Sequence, residues 1–426
     1  GGPASEYITL YNVTSLGRLR HLGVRGVADD LALSALPTLD RWLAKRYRDL
    51  RPRDLPSNHL DATVALGLYA RSFYLGERPI PAGEVRRAWD YFAGQGTRYW
   101  LSLGVMGQAQ LALALNRIGD RATAGKILKS LRERSQYDEE LGRHWPESSP
   151  WCWVHAPIET QAVVIEAFAE VAADEETVRE CQRWLLKQKQ TQDWGTTKAT
   201  ADAVYALLCR GGDPLAAGEP VEVYLGGQRV EPGRTEAGTE SFHRWFPGAE
   251  VKPEMGDIRV VKKGTGIAWG GVHWRYLQDA GAIGPDTGGP LRVEKRLFVR
   301  RDTARGPSLE PVTGPLAVGD RVVVRLELSC DRDLEYVHLT DARGSGQEPV
   351  EVLSGYRHQD GLGYYQSIRD AGVHFFFESL GKGRHLFEYP LSVVHRGRTQ
   401  TGPAQVQCMY APEFAAHSTS LPLEVR

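Results

Sequence analysis

The stretch Lys187–Leu208, KQKQTQDWGTTKATADAVYALL, reads as a turn between two helices. Upstream of the turn, Val178, Cys181, Trp184 and Leu185 fall at helical spacing, with Arg179, Arg183, Lys187 and Lys189 on the opposite face. Downstream of Trp194-Gly195, the pair Thr196-Thr197 offers an N-cap for a second helix, one side of which carries Ala203, Leu207 and Leu208. Asp193 is read as a capping residue of the turn. The pattern predicts a helical hairpin with Trp194 as an aromatic plug.

The same design recurs upstream at spacings of about 40 to 50 residues. Setting Pro157-IETQAVVIEAFAEV beside Lys198-ATADAVYALL aligns Thr160 with Thr200 and Val164 with Val204. Trp100-LSLGVMGQAQLALALNRIGD and His59-LDATVALGLYARSFYLG are weaker copies. No single pair can bury its Ala, Leu and Val face alone, so the repeats imply a closed or stacked array of hairpins. Between them, residues 33–50, 84–94 and 123–134 place apolar residues at three- and four-residue steps.

Near residue 215 the period changes. Gly and Pro cluster in RGGDPLAAGEP (210–220), and Val221-EVYLGGQRV reads as a strand, a Gly-Gly turn and the start of another strand. Short strands such as Ser241-FHRWF and Asp257-IRVVKKG follow. From about residue 288 the chain is strand-rich: Val322, Val324, Leu326 and Leu328 alternate with Arg321, Val323, Arg325 and Glu327, the mark of a sheet with one face buried. Gly372-VHFFFESL, Arg384-HLFEYPLSVVH and Ala404-QVQCMY complete a β-sandwich. The expected organisation is multidomain, α then β, with parts 1–214, 215–287 and 288–426.

The 426 residues carry a formal net charge of −1, which recommends neither a nucleic acid nor an anionic membrane as partner. No run of about 18 apolar residues is present, so no membrane span is expected. The first residues, GGPASEYITLYN, have neither the basic start nor the apolar core of a signal peptide. Five cysteines, Cys152, Cys181, Cys209, Cys330 and Cys408, show no CxxC and no zinc spacing, and are read as small buried hydrophobes.

The chain resembles the bacterial alpha-2-macroglobulins. The resemblance lies in EYITLYNVTSLGRLRHLGV and QTQDWGTTKATADAVYALL, and continues through GIAWGGVHWRYLQD (266–279), YVHLTDARGSG (336–346), VLSGYRHQDGLGYYQSIRDAG (352–372) and QCMYAPEFAAHS (407–418). It implies a thioester-type α/α toroid over 1–214, lacking its N-terminal part. The returning half of a CUB-type β domain over 215–287 and a terminal macroglobulin-like, receptor-binding-type sandwich over 288–426 would follow. The implied function is broad-spectrum endopeptidase inhibition: the full-length parent traps proteases after bait cleavage and is not an enzyme. The implied setting is the periplasm or cell surface, with the export signal upstream. Intramolecular contacts to N-terminal macroglobulin-like domains are expected, and no cofactor.

Active members of that family carry a CxEQ motif whose cysteine and glutamine form an internal thioester, kept dry until proteolysis exposes it. Here the cysteines are followed by WVH, QRW, RGG, DRD and MYA, so this stretch of chain holds no CxEQ. By the same resemblance, Met409 and Tyr410 are the candidates for side chains that shield a thioester, against the plainer reading of packing at a strand end.

Other candidate groups have structural readings. Asp29-Asp30 lacks the further carboxylates of a diphosphate or acid site and is read as a helix start. Trp151-Cys152-Trp153-Val154-His155 holds a thiol and an imidazole, but neighbours on a turn rarely face each other. His338 and His374 show no paired ligand spacing and are read as sheet residues, with no metal expected. The alternatives to a protease inhibitor are an α/α-toroid carbohydrate-active enzyme, whose funnel would hold Trp151, Trp153 and Trp194 and two converging carboxylates, and a thioester-less interaction scaffold.

Overall fold

The computed structural model describes residues 5–24, 29–146, 156–191, 193–209, 221–235, 241–263, 268, 270–286, 289–304 and 306–426. The chain divides into two compact units, residues 1–187 with 194–269, and 188–193 with 270–426. Helices come first and strands after, as the change of period predicts.

The first unit is built on nine α-helices among the described residues. They are α1 (Glu6–His21), α2 (Asp29–Arg48), α3 (Ala62–Ser72), α4 (Glu84–Tyr99), α5 (Val105–Ile118), α6 (Arg121–Glu133), α7 (Pro157–Ala167), α8 (Glu175–Thr191) and α9 (Thr197–Leu208). Each odd-numbered helix packs on the next odd one, α1 on α3, α3 on α5, α5 on α7 and α7 on α9. The repeated segments are therefore the inner layer of the array. Their composition explains it: Ala109, Ala112, Ala114, Ala162 and Ala203 are fully buried, and small side chains let helix backbones approach closely. The intervening helices are amphipathic and wet on one face, α4 burying Ala88, Trp89 and Phe92 and α6 burying Ala124, Ile127 and Leu131.

Local capping follows sequence chemistry. The side chains of Asp61, Asp120 and Thr196 accept the backbone N–H of Val64, Thr123 and Ala199 at the starts of α3, α6 and α9. Trp194 plugs the α8–α9 hairpin, its Nε1 donating to Leu185 O at 3.2 Å. Val178, Cys181 and Leu185 are buried as the periodicity requires. The α9 face needs correction: Leu207 and Leu208 are only half-buried, while Ala199, Asp202, Ala203, Tyr205 and Ala206 are buried. An apolar-periodicity count overlooks Asp202 and Tyr205, which are polar yet point into the array.

A hairpin of β1 (Gln136–Asp138) and β2 (Gly142–His144) precedes α7. After α9, β3 (Glu222–Leu225) pairs with β4 (Gln228–Arg229) across Gly226 and Gly227, both at positive φ, the two-residue turn the Gly-Gly pair predicts. A further short pair, β5 (Arg234–Thr235) and β6 (Phe242–His243), is followed by β7 (Ile258–Val261), which returns to β3.

The second unit is an antiparallel sandwich. One sheet contains β8 (Leu291–Thr303), β9 (Gly306–Pro311), β10 (Arg321–Cys330), β12 (Gln347–Pro349) and β16 (Gly383–Val393), in the order β12-β16-β10-β8-β9. The other contains β11 (Leu334–Ala342), β13 (Gly355–Gln359), β14 (Leu362–Ile368), β15 (Gly372–Leu380), β18 (Ala404–Cys408) and β19 (Ala415–His417), in the order β13-β14-β15-β11-β18-β19. A third, two-stranded ladder joins β17 (Gly397–Gln400) to β20 (Pro422–Val425). Val322, Val324, Leu326 and Leu328 share their core with Val337, Leu339, Phe375, Phe377 and Val406. Two buried charged residues, Lys295 and Asp341, interrupt the apolar residues there.

Candidate functional site

The inner helices bring one polar side chain each to a common buried centre. Arg18 of α1 pairs with Asp202 of α9 at 2.7 Å, and its Nε lies 3.1 Å from the Tyr69 hydroxyl of α3 and 3.4 Å from Glu166 of α7. The Tyr69 hydroxyl donates to Glu166 Oε2 in a short hydrogen bond. Arg117 of α5 donates to Glu166 Oε1 at 2.9 Å and also to Glu170 at 2.9 and 2.5 Å. The Arg18 guanidinium sits 4.8 Å from the Tyr205 ring centre, so α1 and α9, the two ends of the array, meet through side chains.

Charge accounts for the cohesion of this centre. Burial opposes ionisation of Arg18, yet Tyr69, Glu166 and Asp202 around it more than compensate and hold the guanidinium protonated. Burial pushes the Tyr69 phenol well up, and pushes the Asp202 carboxyl up against the pull of Arg18 and Lys198. Both Glu166 oxygens are engaged, by Tyr69 and Arg117, so this side chain ties α7 to α3 and α5. Periodicity missed these five residues because it counts polar positions as solvent-facing. The visible signal was Arg18, Glu166 and Asp202 lying within otherwise apolar helical faces.

Met409 and Tyr410 follow β18 and are 54% and 77% exposed. The Met409 N–H donates to Tyr336 O at 2.9 Å, and the Tyr410 ring stands edge-on to Tyr336 at 5.2 Å. Tyr336 itself has φ 54°, a strained left-handed backbone for an aromatic residue. Cys408 and Phe414 on either side are buried, and Cys408 N donates to Phe414 O, which anchors the exposed pair.

His338 and His374, apart in sequence, are brought together. They stand diagonally on β11 and β15, with His338 Nε2 3.0 Å from His374 Nδ1 and Thr340 Oγ1 3.2 Å from each. His338 also stacks on Phe376 at 4.5 Å. Burial and the neighbouring His374 hold its imidazole below the usual value. Strand register, which spacing within one strand cannot show, produces the pair. Among the described residues no group of three or more His, Cys, Asp or Glu side chains could hold a metal ion, and no helix is long and apolar enough to cross a membrane. Cys181, Cys330 and Cys408 are buried and Cys209 is half-buried. Asp29 and Asp30 open α2. Trp151 to His155 lie outside the described residues.

Residues 291–413 match the family model of the bacterial alpha-2-macroglobulin MG10 domain. Comparison with curated proteins gives no match. Among solved structures, Escherichia coli alpha-2-macroglobulin activated by porcine elastase is 15% identical over 100% of this chain and 36% of its own, with a TM-score of 0.44. Salmonella alpha-2-macroglobulin reacted with methylamine is 16% identical over 100% of this chain and 26% of its own, with a TM-score of 0.36. Native E. coli alpha-2-macroglobulin from domain MG7 to the C-terminus is 15% identical, with coverage of 100% and 64% and a TM-score of 0.36. The chain thus spans less than two thirds of each of these structures. The family match lies in the C-terminal sandwich, which is similar to the MG10 domain of bacterial alpha-2-macroglobulins.

Proposed function

We propose that this chain is the C-terminal portion of a broad-spectrum protease inhibitor that traps its target after bait cleavage, acting in the periplasm or at the cell surface. The observation that carries the reading is the MG10 match over 291–413. On this reading residues 1–214 are a thioester-type helical domain, 215–287 the returning half of a CUB-type domain and 288–426 the terminal macroglobulin-like domain. Met409 and Tyr410 are proposed to shield a reactive site supplied by the rest of the parent; their exposure leaves them free for that contact. The test is to incubate the full-length parent with elastase and assay the protease on a protein and on a small chromogenic peptide. Trapping predicts loss of activity on the protein with activity on the peptide retained. Equal activity on both, with or without the parent, would overturn it.

A further inference from the structure

The run Leu291, Val293, Lys295, Leu297, Val299 faces the sandwich interior from β8, so a lysine occupies a position where alternation calls for an aliphatic residue. The facing strand does the same: Val337, Leu339 and Asp341 point inward from β11. The two meet across the core, with Lys295 Nζ 2.6 Å from Asp341 Oδ1 and their side chains only 1% and 0% exposed. Tyr389, inward-facing on β16, donates its hydroxyl to Asp341 Oδ2 at 2.5 Å.

The polar contacts of Lys295 define a direction of attack. Nζ donates to the backbone carbonyls of Ala342 at 2.6 Å and Gly402 at 3.3 Å. The third polar neighbour of Nζ is Asp341 Oδ1, at 2.6 Å. With two N–H bonds held by carbonyls, the remaining tetrahedral position of a neutral amine is its lone pair, and the neighbour left for it is the Asp341 carboxyl. An ion pair taken wholly out of water is costly, so transfer of one proton to give amine and carboxylic acid is favoured by dryness.

We propose that Lys295 Nζ and Asp341 Cγ join in an intramolecular amide bond once the sandwich has folded, stapling its two sheets covalently. The N–C bond forms as the lone pair adds to Cγ, and one C–O bond breaks. Two of the three ammonium protons leave with that oxygen as water, and the third stays on the amide nitrogen. Tyr389 polarises the carboxyl through Oδ2 and ends in its starting state. No oxidant, metal or cofactor is consumed. Burial also pushes the Asp341 carboxyl up against the pull of Lys295 and Tyr389, which favours the protonated electrophile. Fixed reactants in one cavity act at effective molarities of roughly 10⁵–10⁸ M, enough to drive a condensation that free amines and carboxylates do not undergo in water. The inference is independent of protease trapping.

Intact-mass spectrometry of the full 426-residue chain, denatured after circular dichroism has shown it folded, tests the bond. The expected mass is one water below that of the sequence, with a tryptic peptide pair joined through an uncleaved Lys295. Lys295→Arg and Asp341→Ala should each restore the full sequence mass. Asp341→Asn should lose ammonia instead and converge on the same product mass, and Tyr389→Phe should slow the loss. A folded chain that keeps its full mass after prolonged incubation overturns the proposal, leaving a buried ion pair. So does a missing water that persists in Asp341→Ala.

Discussion

Arg18 connects the first inner helix to the last, and its substitution tests whether the helical array depends on that contact. Arg18→Ala leaves Asp202 buried without its cation and deprives Glu166 of one of two guanidinium neighbours. Breaking a buried pair from one side costs about 3–5 kcal/mol, so the urea midpoint of the helical unit should fall sharply, whereas Arg46→Ala, in an exposed pair with Asp61, should cost about 1 kcal/mol or less. Equal effects would show that the centre is not what holds the ends together. Tyr410→Ala removes an exposed ring whose neighbour is Tyr336, so fold stability should change little. In a thioester-bearing full-length parent it should speed inactivation by methylamine before any protease is added. An unchanged rate would leave Tyr410 only its contact with Tyr336.

Among the elements, the caps and one glycine carry sharp expectations. At the start of α6, burial pushes the Asp120 carboxyl up, but the Thr123 N–H and hydroxyl and the Thr97 hydroxyl outweigh it and hold the carboxyl below its usual 3.8. A depressed carboxyl stabilises the fold fully above 3.8, and the contribution is lost as pH falls through the lowered folded value. Asp120→Ala should cost about 1 kcal/mol at neutral pH, with the difference from wild type shrinking in acid. A pH-independent difference would rule out the carboxylate as the stabilising group. At Gly142, φ is 88° and an added Cβ would lie 2.3 Å from the Glu180 backbone oxygen in α8. Gly142→Ala therefore has to move either the β1–β2 hairpin or the helix. Thermal unfolding should show a loss well above the roughly 1 kcal/mol that a left-handed alanine costs alone.

On the scale of the whole molecule, Gly- and Pro-dense joints are expected to yield first to proteases. Limited subtilisin digestion should cut initially in 210–220, which lies outside the described residues, or in 280–290, and first cleavage within Val178–Leu208 would contradict the plugged hairpin. The chain should also show no mass gain with methylamine, since none of its cysteines begins a CxEQ. What the sequence determined unaided was whatever depends on neighbours along the chain: the Thr196 cap, the Trp194 turn, the Gly226-Gly227 hairpin, the helical repeats and the alternation of β10. Each is a short-range preference of backbone dihedrals or of apolar spacing, legible in a window of a few residues. Tertiary structure alone decided which polar side chains are buried and whom they meet. Arg18 reaches Asp202 only because five helices pack in succession, His338 meets His374 only through strand register, and Lys295 faces Asp341 only because two sheets stack. Burial turns these residues from solvated charges into paired ones, since a charge withdrawn from water must find its partner within the protein, however far away that partner lies in sequence.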